Sequence, residues 1–159
     1  MNEAEFSFTL NDRPVTLNTR ASAMLVDVLR NDYGLFGCRI GCDQAVCGAC
    51  TVLVDGTPMA ACSTFIFEIE GREVTTIEAT GQTPDPVQQA FIDARGFQCG
   101  YCTGGMILLT RSLLARHPDP DDDTIRAWLG ANVCRCTGYS SIIDAVKAAG
   151  RLLRQEAVR

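Results

Sequence analysis

Nine cysteines in 159 residues are the groups here that could do chemistry. Cys42, Cys47, Cys50 and Cys62 fall at Cys-x4-Cys-x2-Cys-x11-Cys, opening inside the stretch GCDQAVCGACTVLVDG. That spacing suits four thiolates converging on one 2Fe-2S core. A second set follows, Cys99-x2-Cys102 and then, after a long gap, Cys134-x-Cys136. Two redox centres in so short a chain leave little room for a substrate pocket, and the chemistry they point to is movement of electrons.

A cluster of this kind is anionic, so it needs backbone N–H groups aimed at its sulfurs and small residues that let the backbone come close. Gly41, Ala45, Gly48 and Ala49 supply that around the first set. Cys47-x2-Cys50 alone would also suit zinc; the four-residue spacer before it and the strand directly after it favour iron and sulfide. Cys99 and Cys102 lie at the start of an apolar helix, and Cys134 and Cys136 precede another, reached through Thr137-Gly138-Tyr139. Helix N-termini lower thiol pKa and attract negative charge. A Cys-x-Cys pair is tight for a single zinc and less so for two irons, but this second spacing leaves zinc open. Cys38 belongs to neither set and is expected to be a free thiol packed as a small hydrophobe.

The elements that must hold these residues can be read from periodicity. Phe6, Phe8 and Leu10 alternate with polar residues, Asn11-Asp12 makes a turn, and Val15 and Leu17 alternate again, which predicts a β-hairpin. Ser22 is placed to cap a helix carrying Met24, Leu25, Val28 and Leu29, ended by Gly34. The stretch from Gly37 to Ala49 lacks periodicity and reads as a loop. Thr51–Val54 reads as a strand, Asp55-Gly56 as a turn, and short strands are expected near Phe65–Ile69 and Glu73–Ile77. Gly81, Pro84 and Pro86 mark a linker. Helical faces follow: Val87, Ala90, Phe91 and Ala94; Met106, Leu109, Leu113 and Leu114, broken by Pro118 and Pro120; Ile125, Trp128 and Leu129; and Ile142, Ile143, Val146, Leu152 and Leu153. The expected organisation is a β-rich unit over 1–79 and a four-helix unit over 80–159, with no internal repeat.

Bulk properties narrow the class. The net charge is −5 and Lys and Arg are scattered, so no nucleic-acid partner is expected. No apolar run reaches the length of a membrane span, and the opening MNEAEFSF has no signal-peptide character, so a cytoplasmic location is expected. In a reducing compartment a cysteine-rich chain binds metal or is catalytic rather than disulfide-stapled, and an odd number of cysteines cannot all pair within one chain.

Taken in order, GCDQAVCGACTVLVDG, QCGYCTGGM and NVCRCTGYSSI resemble the iron–sulfur small subunits of the molybdenum hydroxylases. That family includes the small subunits of aerobic carbon monoxide dehydrogenase and of bacterial heteroaromatic hydroxylases, and the N-terminal part of xanthine dehydrogenase. The resemblance runs from about Phe6 to Ala149, and two unrelated cysteine patterns must match in sequence order for it to hold. It implies an α+β chain: an N-terminal β-grasp 2Fe-2S ferredoxin-like domain with Cys42, Cys47, Cys50 and Cys62 as ligands, then a C-terminal four-helix-bundle 2Fe-2S domain with Cys99, Cys102, Cys134 and Cys136 as ligands. It implies two partners, a large subunit with a molybdopterin cofactor and a medium one with FAD, and electrons passing from molybdenum through both clusters to FAD. It places Gln98 and Cys136 beside the pterin. The holoenzyme would hydroxylate an aromatic heterocycle, aldehyde or purine with oxygen from water; carbon monoxide oxidation is the alternative within the family. A free-standing two-cluster ferredoxin is the alternative from another class, and a zinc-stapled scaffold a third.

Two departures from the family pattern stand out. Gly104 occupies a position where the family usually has proline, and Asp43-Gln44-Ala45-Val46 replaces a common Gly-Glu-Gly-Gly loop. The remaining candidates have plain readings. His117, at a helix end before Pro118, suits capping. Asp119–Asp123 lacks the glycine and glutamate of a calcium loop and suits an acidic helix start. Trp128 suits core packing. Arg39 and Arg135 flank cluster ligands and could favour a reduced cluster or pair with a partner's carboxylates. No catalytic triad, carboxylate pair or phosphate loop is present, so no residue of this chain is expected to be a proton-transfer catalyst.

Overall fold

The computed structural model describes residues 3–80 and 83–157. Its first half is a sheet of five strands: β1 (Glu3–Leu10), β2 (Arg13–Arg20), β3 (Thr51–Val54), β4 (Thr57–Ala60) and β5 (Glu73–Thr75), in the order β2-β1-β5-β3-β4. The β1–β2 hairpin is antiparallel with Phe6 opposite Leu17, while β1 and β5 run parallel. Phe6, Phe8 and Leu10 point inward at the strand period and meet Val52, Val54, Val74, Leu25, Leu29, Ile66 and Ile69 in one core.

β3 is buried on both faces, unlike the half-buried β1, because helix α3 (Thr103–Arg116) lies across its far side. Ser112 Oγ donates to the Gly56 carbonyl at 2.9 Å, and Arg116 Nη2 to Thr57 Oγ1 at 3.1 Å. Helix α3 is therefore buried almost all round, from Gly105 to Leu114. Around it pack α2 (Pro86–Asp93), α4 (Asp122–Leu129) and α5 (Ser140–Ala157), whose inner faces carry Phe91, Ile125, Ile142 and Val146. Arg111 on α3 pairs at 2.5 Å with Asp85, the N-cap of α2.

Several expected elements differ. The Ser22-capped helix is instead one α-turn, α1 (Leu25–Asp27), continuing into a π-helical turn over Val28–Asp32. Met24 is extended first, bridged to Phe65: Leu25 N–H donates to Thr64 O and Ile66 N–H to Ala23 O, so the helix begins only after Met24. The strand expected at Phe65–Ile69 is a 3₁₀ turn over Ile66–Ile69. Ile66 and Ile69 are buried three residues apart, while Phe67 stacks on Phe65 outside, which is a helical rather than an alternating pattern. Strand β5 stops at Thr75, and β4 has no expectation behind it: Pro58 masks it, and is tolerated because β4 is an edge strand. Pro86 is the first residue of α2 rather than linker; Asp85 accepts from Gln88 N–H at 2.7 Å and Gln88 returns to Asp85 N–H, a closed capping box. Gly81 lies outside the described residues. Asp121 caps α4 by accepting from Thr124 N–H at 2.8 Å, as its acidic start suggested. His117 ends α3 and sets its ring against Trp128, which is half-buried under Arg116. Among the described residues no helix is long and apolar enough to cross a membrane.

Candidate iron–sulfur sites

The loop between α1 and β3 carries Cys42, Cys47 and Cys50, and Cys62 comes from the short turn after β4. Its backbone wraps the thiols. The N–H groups of Gln44, Val46 and Cys47 all point at Cys42 Sγ, at 3.4, 3.3 and 3.3 Å, and Ala45 N–H points at Cys62 Sγ at 3.3 Å. Those donors, Cys47 N–H first, lower the Cys42 thiol to about 7. The wrap requires Asp43 and Ala45 to take the left-handed conformation, at φ 57° and 56°. Cys42 lies within reach of Cys47, and Cys50 of Cys62. A Cβ on Gly41 would sit 2.9 Å from Cys47 Sγ, so only glycine leaves that sulfur free to turn inward.

The second set lies where two helices begin. Cys102 is the N-cap of α3, with Cys99 one turn earlier; Cys134 and Cys136 precede α5. Cys136 and Cys99 sulfurs are 3.6 Å apart on the surface, and the less exposed Cys102 reaches Cys134. Burial pushes Cys102 and Cys50 up to about 12. Cys134 is lowered: its burial opposes ionisation, but hydrogen bonds from Thr137 outweigh it. Thr137 Oγ1 stands 3.1 Å from Cys134 Sγ.

In both sets the thiols converge as two pairs. Two pairs suit a binuclear core in which each iron takes two thiolates. Two further observations fit a bound anionic cluster: the main-chain donors directed at sulfur, and the buried hydroxyl of Thr103, next to Cys102, which has no partner. Cys38 joins neither group. It is 3% exposed, donates to Cys50 O at 3.4 Å, and burial pushes its thiol up to about 12.

The two sites are tied to each other. Val133 N–H donates to Cys47 O at 2.8 Å, and Asn132 Nδ2 to Gly48 O at 3.1 Å. A Cβ on Gly105 would overlap Gly48 O, and one on Gly48 would come within 2.5 Å of Ala131 O. Tyr101 OH donates to Ile40 O at 2.6 Å, with Arg39 over its ring. Gly104 belongs to this contact: a Cβ there would stand 3.2 Å from Gly37 O, so the glycine gives α3 room against the first loop. Asn132 and Tyr101 had no sequence reading; their only signal is adjacency to cysteines.

Residues 14–98 match the 2Fe-2S iron-sulfur cluster binding domain, and residues 76–147 match the [2Fe-2S] binding domain. A nicotinate dehydrogenase subunit of Pseudomonas putida is 41% identical, over 96% of this chain and 99% of its own. The nicotinate dehydrogenase small FeS subunit of Eubacterium barkeri is 38% identical, over 94% and 96%. The chain belongs to the iron–sulfur small subunits of the molybdenum hydroxylases. A crystal structure of quinoline 2-oxidoreductase from Pseudomonas putida 86 superposes with a TM-score of 0.92 at 39% identity, over 98% of each chain. This small subunit has an α+β 2Fe-2S fold, carries two 2Fe-2S clusters, and serves electron transfer in a molybdenum-dependent oxidoreductase.

Proposed function

We propose that Cys42, Cys47, Cys50 and Cys62 hold one cluster in a β-grasp domain spanning 1–79, and that Cys99, Cys102, Cys134 and Cys136 hold the other in a helical domain spanning 80–159. The observation that carries this reading is the pairing of thiols, the exposed Cys99 and Cys136 at 3.6 Å and the less exposed Cys102 facing Cys134. Held by these eight thiolates, the clusters would supply one-electron transfer. The protein's own contribution is to fix eight sulfurs, aim donors at them and hold the two sites in one frame through Asn132, Val133 and Gly105.

The second site opens on a surface where Gln98, Cys99, Gly100, Cys136 and Gly138 are all exposed, flanked by Phe97 and Tyr101. Gly100 and Gly138 take φ of 80° and 64° and present no side chain, so a partner's cofactor can approach the Cys99–Cys136 pair closely. This supports a large molybdopterin-binding subunit docking there, with Gln98 and Cys136 beside the pterin. The first site opens instead on the exposed loop 43–46, where Val46 is 66% exposed. That face suits a medium, FAD-binding subunit. The names of its relatives favour an aromatic heterocycle as the holoenzyme's substrate, hydroxylated with oxygen from water; an aldehyde, a purine or carbon monoxide would leave this chain's part unchanged.

Native purification tests the reading. The chain should emerge in a stable complex containing molybdenum and FAD. In that complex Cys136→Ser should slow reduction of both clusters by substrate while leaving the first cluster's spectrum intact. A lone monomer with both clusters reducible by a small soluble donor, and no molybdenum in the fraction, would favour a free-standing ferredoxin.

A further inference from the structure

Main-chain N–H groups point at sulfur in both cysteine sets, but the second set has in addition a side-chain hydroxyl donor. In the first, the donors to sulfur are main-chain N–H groups of residues 44–47. In the second, Cys134 Sγ faces a side-chain hydroxyl, Thr137 Oγ1, at 3.1 Å. A hydroxyl has one proton to give, and its direction depends on what else the oxygen touches. Tyr139 N–H donates to Thr137 Oγ1 at 3.1 Å. That occupies a lone pair and leaves the proton for the sulfur.

Tyr139 is itself pinned from the other end. Its phenol accepts from Cys134 N–H at 2.8 Å and donates to Asn132 O at 3.1 Å. Its backbone holds φ at 69°, an unusual conformation for a tyrosine and one that the two phenol hydrogen bonds help to impose. Cys134, Thr137 and Tyr139 thus close a small ring of three hydrogen bonds around the buried Cys134 thiol. A donor to a cluster-bound sulfur stabilises the more negative, reduced state and raises the potential.

We propose that Thr137 is a positioning residue that raises the reduction potential of the second cluster, its hydroxyl aimed at Cys134 Sγ by Tyr139. This rests on Cys134 being a ligand of that cluster, as assigned above.

The test is a redox titration of the intact native complex, followed by paramagnetic resonance so that each cluster is read separately. Thr137→Val keeps the side chain's shape and removes the donor. It should shift the electron's distribution away from the second cluster by about tenfold, a midpoint lower by about 59 mV for one electron. The first cluster's midpoint should stay in place, with iron and labile sulfide at the native level. Thr137→Ser should restore the native midpoint. An unchanged midpoint in Thr137→Val with both clusters present would overturn the proposal. So would loss of the second cluster from both Thr137→Val and Thr137→Ala, because the hydroxyl would then be needed to hold the cluster rather than to tune it. Cys134→Ala tests the assignment beneath: if it keeps both paramagnetic species, Cys134 is not a ligand and that reading fails independently of Thr137.

Discussion

At the scale of single residues, the division of labour among nine cysteines follows from what surrounds each sulfur. Cys42 meets three N–H donors; Cys38 meets an apolar core and one carbonyl. Cys50 is just as buried, so burial alone does not separate Cys38 from a ligand candidate; what sets Cys38 apart is that its S–H is spent on a main-chain carbonyl rather than on another thiol. Cys38→Ser should therefore keep both visible and paramagnetic cluster signals, and lower stability by about 1–3 kcal/mol for burying a more polar hydroxyl; loss of either cluster's signal would assign Cys38 a ligand role. The ligand candidates were legible in the sequence because their spacing is a covalent fact. The ring formed by Cys134, Thr137 and Tyr139 was not, because its hydrogen bonds depend on a left-handed tyrosine that no pattern in Thr-Gly-Tyr announces.

At the scale of elements, the opening hairpin, α2, α4 and α5 were readable because each buries one periodic face, and α3 because its apolar run is buried nearly all round. Two segments differ from expectation: Met24 pairs with Phe65 before α1 can start, and Ile66–Ile69 forms a 3₁₀ turn where a strand was expected. The contact of α3 with the first loop was also invisible, since it depends on glycines touching carbonyl oxygens. Gly105→Ala would force a methyl against Gly48 O, and α3 and the loop would have to part. It should lower stability by about 1–3 kcal/mol, measured as a drop in Tm with both clusters bound. A Tm equal to the native one would mean that the two halves are not in this contact.

The capping carboxylate of α4 gives a pH signature at the same scale. Hydrogen bonds from the Thr124 side chain and backbone hold Asp121 below the usual carboxylate range. A depressed carboxyl contributes stability above its unfolded value, about 3.9, and loses it as pH falls through the folded value. The Tm should accordingly fall more steeply below about pH 4 in the native chain than in Asp121→Asn, which keeps a capping acceptor without the ionisation. Identical acid profiles would show that the charge at this cap contributes nothing.

At the scale of the whole molecule, the chain is a frame that ties two unlike cysteine sets, the candidate cluster sites, to each other. One lies in a loop wrapped by main-chain donors, the other between two helix starts, and Asn132 and Val133 bond directly to the first loop. Unlike surroundings make unlike potentials, so the two clusters should be separable spectroscopically even in one small protein. The central claim is that each cysteine set holds its own 2Fe-2S cluster. Paramagnetic resonance of the dithionite-reduced native complex, compared with Cys47→Ser and Cys102→Ser, tests it most directly. Two distinct species are expected in the native protein, with Cys47→Ser removing one and Cys102→Ser the other; a single species at doubled intensity, or no iron signal alongside stoichiometric zinc, would contradict it.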